Sequence, residues 1–151
     1  MRVICVDDEE LILKNFEMKV KDFSEITSLH LFLDGKSALE WVENNPVDTA
    51  FLDMEMSNMH GIELAKKLKQ LDENIRIIFV TAFEQYALDA FGVDALGYVL
   101  KPYTKEEIYN ELKKAQRMRP IAKKKVEIKT IPRFPDNVPL VQTLALQYII
   151  L

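Results

Sequence analysis

Short apolar runs and longer amphipathic stretches alternate along residues 1–118 of the chain. The short runs are rich in β-branched and aromatic residues, which is typical of strands. Five strands are predicted, at residues 2–6, 28–33, 47–52, 75–80 and 95–100. The longer stretches repeat their apolar positions every three or four residues, which is typical of helices. Five helices are predicted, at residues 9–22, 36–44, 61–71, 84–91 and 104–118.

Local signals mark the ends of several elements. The Asp-Gly pair at residues 34–35 stops the second strand, and the Asn-Pro pair at residues 45–46 ends the second helix, because proline cannot continue a helix. Thr104 is followed three residues later by Glu107. This spacing is that of a capping box, so we expect Thr104 to be the N-cap of the last helix.

Strict alternation of strands and helices predicts an α/β fold with a parallel sheet covered on both faces. The nearly continuous apolar strands agree with burial on both faces. Right-handed crossovers favour a flavodoxin-like (βα)5 three-layer sandwich with sheet order 2-1-3-4-5, followed by a C-terminal extension. In such a sheet, ligands bind at the carboxyl ends of the strands.

Composition narrows the class of protein. The chain has 151 residues and a formal net charge of −4, so it can form one good core and is not attracted to nucleic acid as a whole. Cys5 is its only cysteine, which excludes an internal disulfide, and its apolar neighbours predict a core position. The sequence has neither a signal peptide nor a run of about 18 apolar residues. We therefore expect a cytoplasmic protein without a membrane span.

Polar residues follow four of the five predicted strands. Asp7 and Asp8 follow the first strand, Asp53 the third, Thr81 the fourth and Lys101 the fifth. Because carboxyl ends of parallel strands meet at one edge of a sheet, we expect all five side chains at that edge. Three carboxylates held together repel one another, and a hard cation such as Mg²⁺ relieves the repulsion.

The same residue types suit phosphoryl transfer. Asp53 can act as a nucleophile, because carboxylates form acyl phosphates. The ammonium of Lys101 and a cation can stabilise the charge of the transferred group. The hydroxyl of Thr81 can donate a hydrogen bond to a phosphoryl oxygen.

Four motifs carry a family resemblance. VDD at residues 6–8, FLDMEM at 51–56, VTA at 80–82 and YVLKP at 98–102 resemble the receiver domain of two-component response regulators. The resemblance extends over residues 1–118, which we assign to a receiver domain. Each motif lies at the end of the corresponding predicted strand, so the resemblance is specific.

The resemblance implies roles for the acidic residues. Asp53 matches the phosphorylated aspartate of the family. Asp8 matches the direct Mg²⁺ ligand, and Asp7 matches its acidic neighbour that acts through water. The backbone carbonyl of Glu55 matches the third protein ligand of the metal.

It also implies roles at the fourth and fifth strands. Lys101 matches the lysine that pairs with the phosphoryl group, and its peptide bond to Pro102 is expected to be cis. Thr81 matches the switch hydroxyl, and Tyr98 matches the aromatic side chain that changes rotamer. Ala82 matches the small residue that leaves the site accessible.

The family mechanism follows as an implication. A sensor histidine kinase donates the phosphoryl group, Thr81 moves toward it, and Tyr98 swings inward. The surface formed by the fourth helix, fifth strand and fifth helix then changes, which is a population shift biased by a local charge. A homodimer through that surface is one expected result, and enzymatic activity is expected only on the chain's own phosphoryl group.

The remaining residues point to an output domain. Residues 83–108 resemble receivers that precede LytTR-type or winged-helix DNA-binding domains. Residues 119–151 form a basic linker and an apolar tail, and residues 124–134 resemble the start of a winged-helix effector. No complete DNA-binding module fits there. We therefore expect DNA binding only through a missing or incomplete output domain, with control of transcription as the outcome.

Alternatives remain open at this point. The chain is also compatible with a stand-alone receiver that acts through protein contacts. A magnesium-dependent phosphohydrolase of the haloacid-dehalogenase type is disfavoured, because Glu55 stands where that class has a second aspartate. Flavin binding is disfavoured because the first strand lacks a Ser/Thr-rich phosphate loop. Met54, Met56 and Met59 are interpreted as a soft surface loop, in which packing is favoured over a partner contact, and His30 and His60 are assigned no role.

Overall fold

The alternation of strands and helices is confirmed by a computed structural model, which describes residues 1–118. The strands are β1 Arg2–Val6, β2 Ser28–Phe32, β3 Thr49–Leu52, β4 Arg76–Thr81 and β5 Gly97–Leu100. The helices are α1 Glu10–Val20, α2 Gly35–Val42, α3 Gly61–Leu71, α4 Ala87–Gly92 and α5 Lys105–Arg117. No helix in this part of the chain has the length and apolar character needed to cross a membrane. The predictions for residues 119–151 lie outside the described residues.

The five strands form one parallel sheet in the order β2-β1-β3-β4-β5. This is the flavodoxin-like order predicted from the sequence. The strand order reverses beside β1, where the chain moves from one side of the sheet to the other. The carboxyl ends of β1 and β3 are therefore neighbours at the point where this fold class binds its ligands.

Alternate residues of β1 separate two hydrophobic cores. Ile4 and Val6 face a core that includes side chains of α2 and α3, whereas Val3 and Cys5 face a core that includes side chains of α1 and α5. The period of two follows from the pleat of a strand. Burial raises the pKa of the Cys5 thiol, so this side chain behaves as an apolar core residue, as predicted.

Side chains cap the starts of α2, α3 and α5. Asp34 accepts a hydrogen bond from the backbone N–H of Ser37 (2.7 Å) before α2. Thr104 accepts one from the backbone N–H of Glu107 (3.1 Å) before α5, which confirms the predicted N-cap. Each cap satisfies a backbone donor that has no partner inside the helix.

One helix start was predicted wrongly, and one methionine lies deeper than its loop position suggests. The fourth helix was predicted from residue 84 but begins at Ala87, because the backbone N–H of Phe83 donates to Thr81 Oγ1 (3.3 Å) in the preceding turn. Met54 lies in the loop after β3, and its side chain is fully buried in the core under α3, which agrees with packing rather than with a partner contact. Its backbone directly follows Asp53, so its burial fixes the chain beside that residue.

Candidate functional site

Backbone hydrogen bonds hold the carboxyl ends of the strands together. The N–H of Asp7 donates to Phe32 O (3.1 Å), and the N–H of Asp53 donates to Val6 O (3.0 Å). The N–H of Lys101 donates to Thr81 O (2.8 Å) at the other pair of strands. The polar residues that follow the strands are thus carried on rigid backbone rather than on free loops.

Three aspartates meet at this edge and form what we call the acidic pocket: Asp7, Asp8 and Asp53. One carboxylate oxygen of each lies within 4.8 Å of the other two. Asp7 and Asp53 are buried, whereas Asp8 is exposed. The predicted meeting of these side chains is therefore present in the structure, with one side of the pocket open to solvent.

Lys101 is the cation of the pocket. Its Nζ lies 2.7 Å from Asp7 Oδ2 and 3.6 Å from Asp53 Oδ1. Its side chain is only 17% exposed, so water screens these charges less than at the surface. The peptide bond between Lys101 and Pro102 is cis, as the family resemblance implied.

The environment of Asp53 disfavours its charged form. Its pKa is raised to about 6, mainly by burial and also by the charges of Asp7 and Asp8. The charge of Lys101 and the hydrogen bond from the backbone N–H of Met54 act in the opposite direction without cancelling the rise. A second positive charge near Asp53 would lower this pKa.

Lys101 responds to the same charges. Burial on its own lowers the pKa of its ammonium group, but the hydrogen bond to Asp7 and the charges of Asp53 and Asp7 outweigh this effect. The net pKa is raised, so Lys101 stays charged at neutral pH. The pocket therefore combines a permanent cation with a carboxylate that ionises near physiological pH.

The donor set fits a hard cation. Asp53 Oδ1 accepts from Met54 N (2.8 Å), and Asp8 Oδ2 accepts from the backbone N–H and the hydroxyl of Ser57 (3.0 and 3.1 Å). Within residues 1–118, the second oxygen of Asp53 and of Asp8 accepts no hydrogen bond from protein. Carboxylate oxygens of this kind are the ligands that Mg²⁺ prefers.

Gly61 allows α3 to approach the pocket closely. Its N–H donates to Met54 O (2.7 Å). A Cβ built on Gly61 would lie 2.2 Å from the carbonyl oxygen of Asp53 and 2.9 Å from Met54 Cα. Both neighbours are backbone atoms, which cannot rotate away. Glycine is thus required for this contact.

Thr81 and Tyr98 lie next to the segment that leads to α4. Thr81 is fully buried, and its hydroxyl accepts from Phe83 N as described above. Tyr98 is half-buried and its hydroxyl donates to the carbonyl of Phe83. Ala82, which follows Thr81, is exposed, and its small side chain leaves that position open to solvent. The two candidate switch residues therefore bond to the same residue of the β4–α4 segment.

Several contacts at the site were not predicted from the sequence. Ser57 holds Asp8, and the hydroxyl of Tyr86 donates to the carboxylate of Glu55. Gly61 was recognised only as the start of a helix. Tyr86 does belong to the Tyr-Ala-Leu-x-Ala-Phe run within residues 83–108, but a contact across 31 residues of sequence has no local signal.

Comparison with known proteins identifies relatives of this arrangement. A family model described as the response regulator receiver domain matches residues 3–113. The transcriptional regulatory protein YpdB of Escherichia coli K12 is 34% identical over 116 residues, which cover 77% of this chain and 48% of YpdB. The sensory transduction protein LytT of Bacillus subtilis is 36% identical over 118 residues, which cover 78% of this chain and 49% of LytT. The chain thus spans about half the length of these relatives.

Solved structures show the same architecture. The response regulatory domain of protein MrkE from Klebsiella pneumoniae is 34% identical, with a TM-score of 0.71 over 77% of this chain and 95% of that one. The response regulator TrrA from Thermotoga maritima, solved in complex with Mg²⁺ and BeF, is 26% identical, with a TM-score of 0.69 over 76% and 97%.

Proposed function

We propose that this chain, which belongs to the response regulator receiver domain family, accepts a phosphoryl group from a sensor histidine kinase on Asp53. The observation that carries the proposal is the acidic pocket beside Lys101, with a second oxygen of Asp53 available for reaction. Asp53 would attack phosphorus through that oxygen while the bond from phosphorus to the kinase histidine breaks. A cytoplasmic location belongs to the same proposal.

Mg²⁺ would be held by carboxylate oxygens of Asp8 and Asp53 and by the backbone carbonyl of Glu55, with Asp7 acting through water. Bound there, it would supply positive charge against the carboxylates and the phosphoryl oxygens. The support from this chain is its donor set. A further support is the related regulator TrrA, whose structure is described as a complex with Mg²⁺ and BeF.

Lys101 and Thr81 would stabilise the phosphorylated state. The Lys101 ammonium, 3.6 Å from Asp53 Oδ1, would pair with a phosphoryl oxygen. The hydroxyl of Thr81 would donate to another phosphoryl oxygen, and movement of Thr81 toward that oxygen would lengthen the bond that its hydroxyl accepts from Phe83 N. Tyr98 would then turn inward and release the carbonyl of the same residue. This sequence explains how a charge on Asp53 would reach α4.

The output would be a change in the surface formed by α4, β5 and α5. Leu88 and Phe91 of α4 are 86% and 85% exposed, which suits a homodimer formed through this face. Relatives described as transcriptional regulators, such as YpdB, support control of transcription through a further domain. A receiver acting through protein contacts alone is the second candidate, favoured by the same exposed apolar face.

Phosphorylation by a small donor tests the central claim. The chain is incubated with acetyl phosphate and MgCl₂, and its intact mass is measured. We expect a gain of one phosphoryl group, which Asp53→Asn abolishes and Asp22→Asn, a control at an exposed aspartate, retains. No gain by a folded wild type, or a gain that survives Asp53→Asn, would overturn the proposal.

A further inference from the structure

Tyr86 connects the loop that follows β3 with the segment that leads from β4 to α4. Its hydroxyl donates to the side-chain carboxylate of Glu55, which lies two residues after Asp53. Tyr86 itself is the residue that precedes α4. We propose that Tyr86 is a positioning residue that couples cation binding in the acidic pocket to the position of α4. The proposal rests on the proposed function, because it assumes that Glu55 contributes its carbonyl to the cation.

The ring of Tyr86 is held from two sides. The ring of His60 meets it edge to face at 5.1 Å between centroids, and the ring of Phe83 does so at 6.1 Å. His60 is the N-cap of α3, where its Nδ1 accepts from Ile62 N (3.3 Å). Tyr86 thus contacts both the β3–α3 loop and the β4–α4 segment. A movement of either segment would therefore displace Tyr86 relative to the other.

α4 has few other anchors at its start. The helix has six residues, and no side chain caps its first turn. Ala90 is its only buried residue, and its large side chains Leu88 and Phe91 project into solvent. A short helix of this kind is held mainly by tertiary contacts. The bond from Tyr86 to Glu55 is such a contact, placed directly before the first residue of the helix.

Glu55 accepts the hydrogen bond from Tyr86 and links it to the backbone beside Asp53. Its side chain is exposed, so without Tyr86 it would sample several rotamers, and the peptide group of the same residue would be less restrained. Holding the carboxylate limits the orientations of the Glu55 backbone and favours the carbonyl geometry that a cation requires. Linkage makes the effect reciprocal, because a cation that fixes Glu55 also restricts Tyr86 and the start of α4.

The test is a Mg²⁺ titration of the full chain followed by backbone amide NMR. In the wild type, we expect saturating Mg²⁺ to shift the amides of the acidic pocket and also those of α4. In Tyr86→Phe, which removes only the hydroxyl, we expect Mg²⁺ affinity to fall about threefold to tenfold. The α4 amides of this variant should no longer respond, while the pocket amides still do.

Matched variants separate coupling from a general loss of structure. Tyr109→Phe removes another tyrosine–glutamate hydrogen bond, which Tyr109 on α5 donates to Glu25 (2.9 Å). This variant should leave Mg²⁺ affinity unchanged. Glu55→Ala should weaken binding as much as Tyr86→Phe, and the double variant should add nothing further. Glu55→Gln keeps an acceptor for Tyr86 and should retain the α4 response.

Two results would overturn the inference while leaving the proposed function intact. One is a Tyr86→Phe variant that binds Mg²⁺ with wild-type affinity and still shifts the α4 amides. The other is additive losses in the double variant, which would mean that the two side chains act independently. A wild type that binds Mg²⁺ but gains no phosphoryl group on Asp53 would contradict the proposed function instead.

Discussion

At the scale of single residues, Asp53 combines reactivity with a cost to the fold. Its pKa in the folded chain is about 6 against an ordinary value of 3.8, so the folded state binds its proton more tightly than the unfolded state does. The stabilising contribution of this carboxyl group is complete below about pH 4 and is lost as pH rises through about 6. Near neutral pH, and without a cation, the ionised Asp53 therefore destabilises the fold.

Asp53→Asn removes this penalty. We compare the free energy of unfolding of the variant with that of the wild type in metal-free buffer. We expect this difference to be about 1–2 kcal/mol more favourable to the variant at pH 8 than at pH 4.5. Urea unfolding at the two pH values, followed by circular dichroism, measures the difference. Saturating Mg²⁺ should stabilise the wild type more than the variant, because only the wild type keeps the third carboxylate.

Asp34→Asn is a control, because the pKa of Asp34 is shifted in the opposite direction from that of Asp53. The hydrogen bond from the backbone N–H of Ser37 holds the pKa of Asp34 below its usual range. The ionised Asp34 therefore stabilises the fold at pH values above its pKa in the unfolded chain, and this stabilisation is lost on acidification. Asp34→Asn should not gain stability as pH rises, and equal pH profiles for the two variants would contradict the assignment.

At the scale of elements, the approach of α3 to β3 sets the depth of the pocket. Gly61→Ala would place a methyl group against the backbone of Asp53. We expect a loss of about 2–4 kcal/mol in unfolding free energy and weaker Mg²⁺ binding, because the loop must shift. Urea unfolding and a Mg²⁺ titration check both effects.

Gly92→Ala is the matched control at the end of α4. Among the described residues, no atom lies within 4 Å of a Cβ built on Gly92, and the backbone of Gly92 does not adopt a positive φ. This substitution should leave stability unchanged or raise it by up to about 1 kcal/mol. A similar loss in both variants would show that the contact with Asp53 is not the cause.

The sequence predicted the elements that carry the pocket better than those that surround it. The strands β1 and β3 end where expected, because each is an apolar run followed by a charged residue. The start of α4 was misplaced, since residues 84–86 have helical periodicity but the preceding turn is held by the bond from Phe83 N–H to Thr81 Oγ1. The depth at which Met54 is buried could not be predicted, because the core beneath α3 has no local signature.

The same distinction applies within the site. Asp7, Asp53 and Lys101 could be placed together from topology alone, since parallel strands bring their carboxyl ends to one edge. That Lys101 lies closer to Asp7 than to Asp53 could not. It depends on side-chain packing, which strand order does not determine. The contact between Ser57 and Asp8 is of the same kind.

At the scale of the whole molecule, the exposed apolar side chains of α4 are suited to self-association. If phosphorylation promotes a dimer through α4, sedimentation should show a shift from monomer to dimer after treatment with acetyl phosphate and Mg²⁺. Leu88→Ser with Phe91→Ser should abolish the shift without changing phosphorylation. Because both side chains are exposed, the free energy of unfolding should change by less than about 0.5 kcal/mol per substitution.

The control for this prediction lies on α1. Leu11 and Met18 are also exposed, at 78% and 60%. Leu11→Ser with Met18→Ser lowers surface hydrophobicity by a comparable amount on a different helix, and it should leave the dimer intact. A phosphorylated wild type that stays monomeric would refute dimerisation through the α4 face.

The buried Cys5 makes this protein convenient for optical reporting. It is the only cysteine in the chain, and its burial and raised pKa keep it in the unreactive thiol form. A thiol introduced at an exposed position of α4 would thus be labelled selectively without first removing a native cysteine. A single fluorophore there could follow the arrival of Mg²⁺ or a phosphoryl group in real time, in an otherwise unaltered chain.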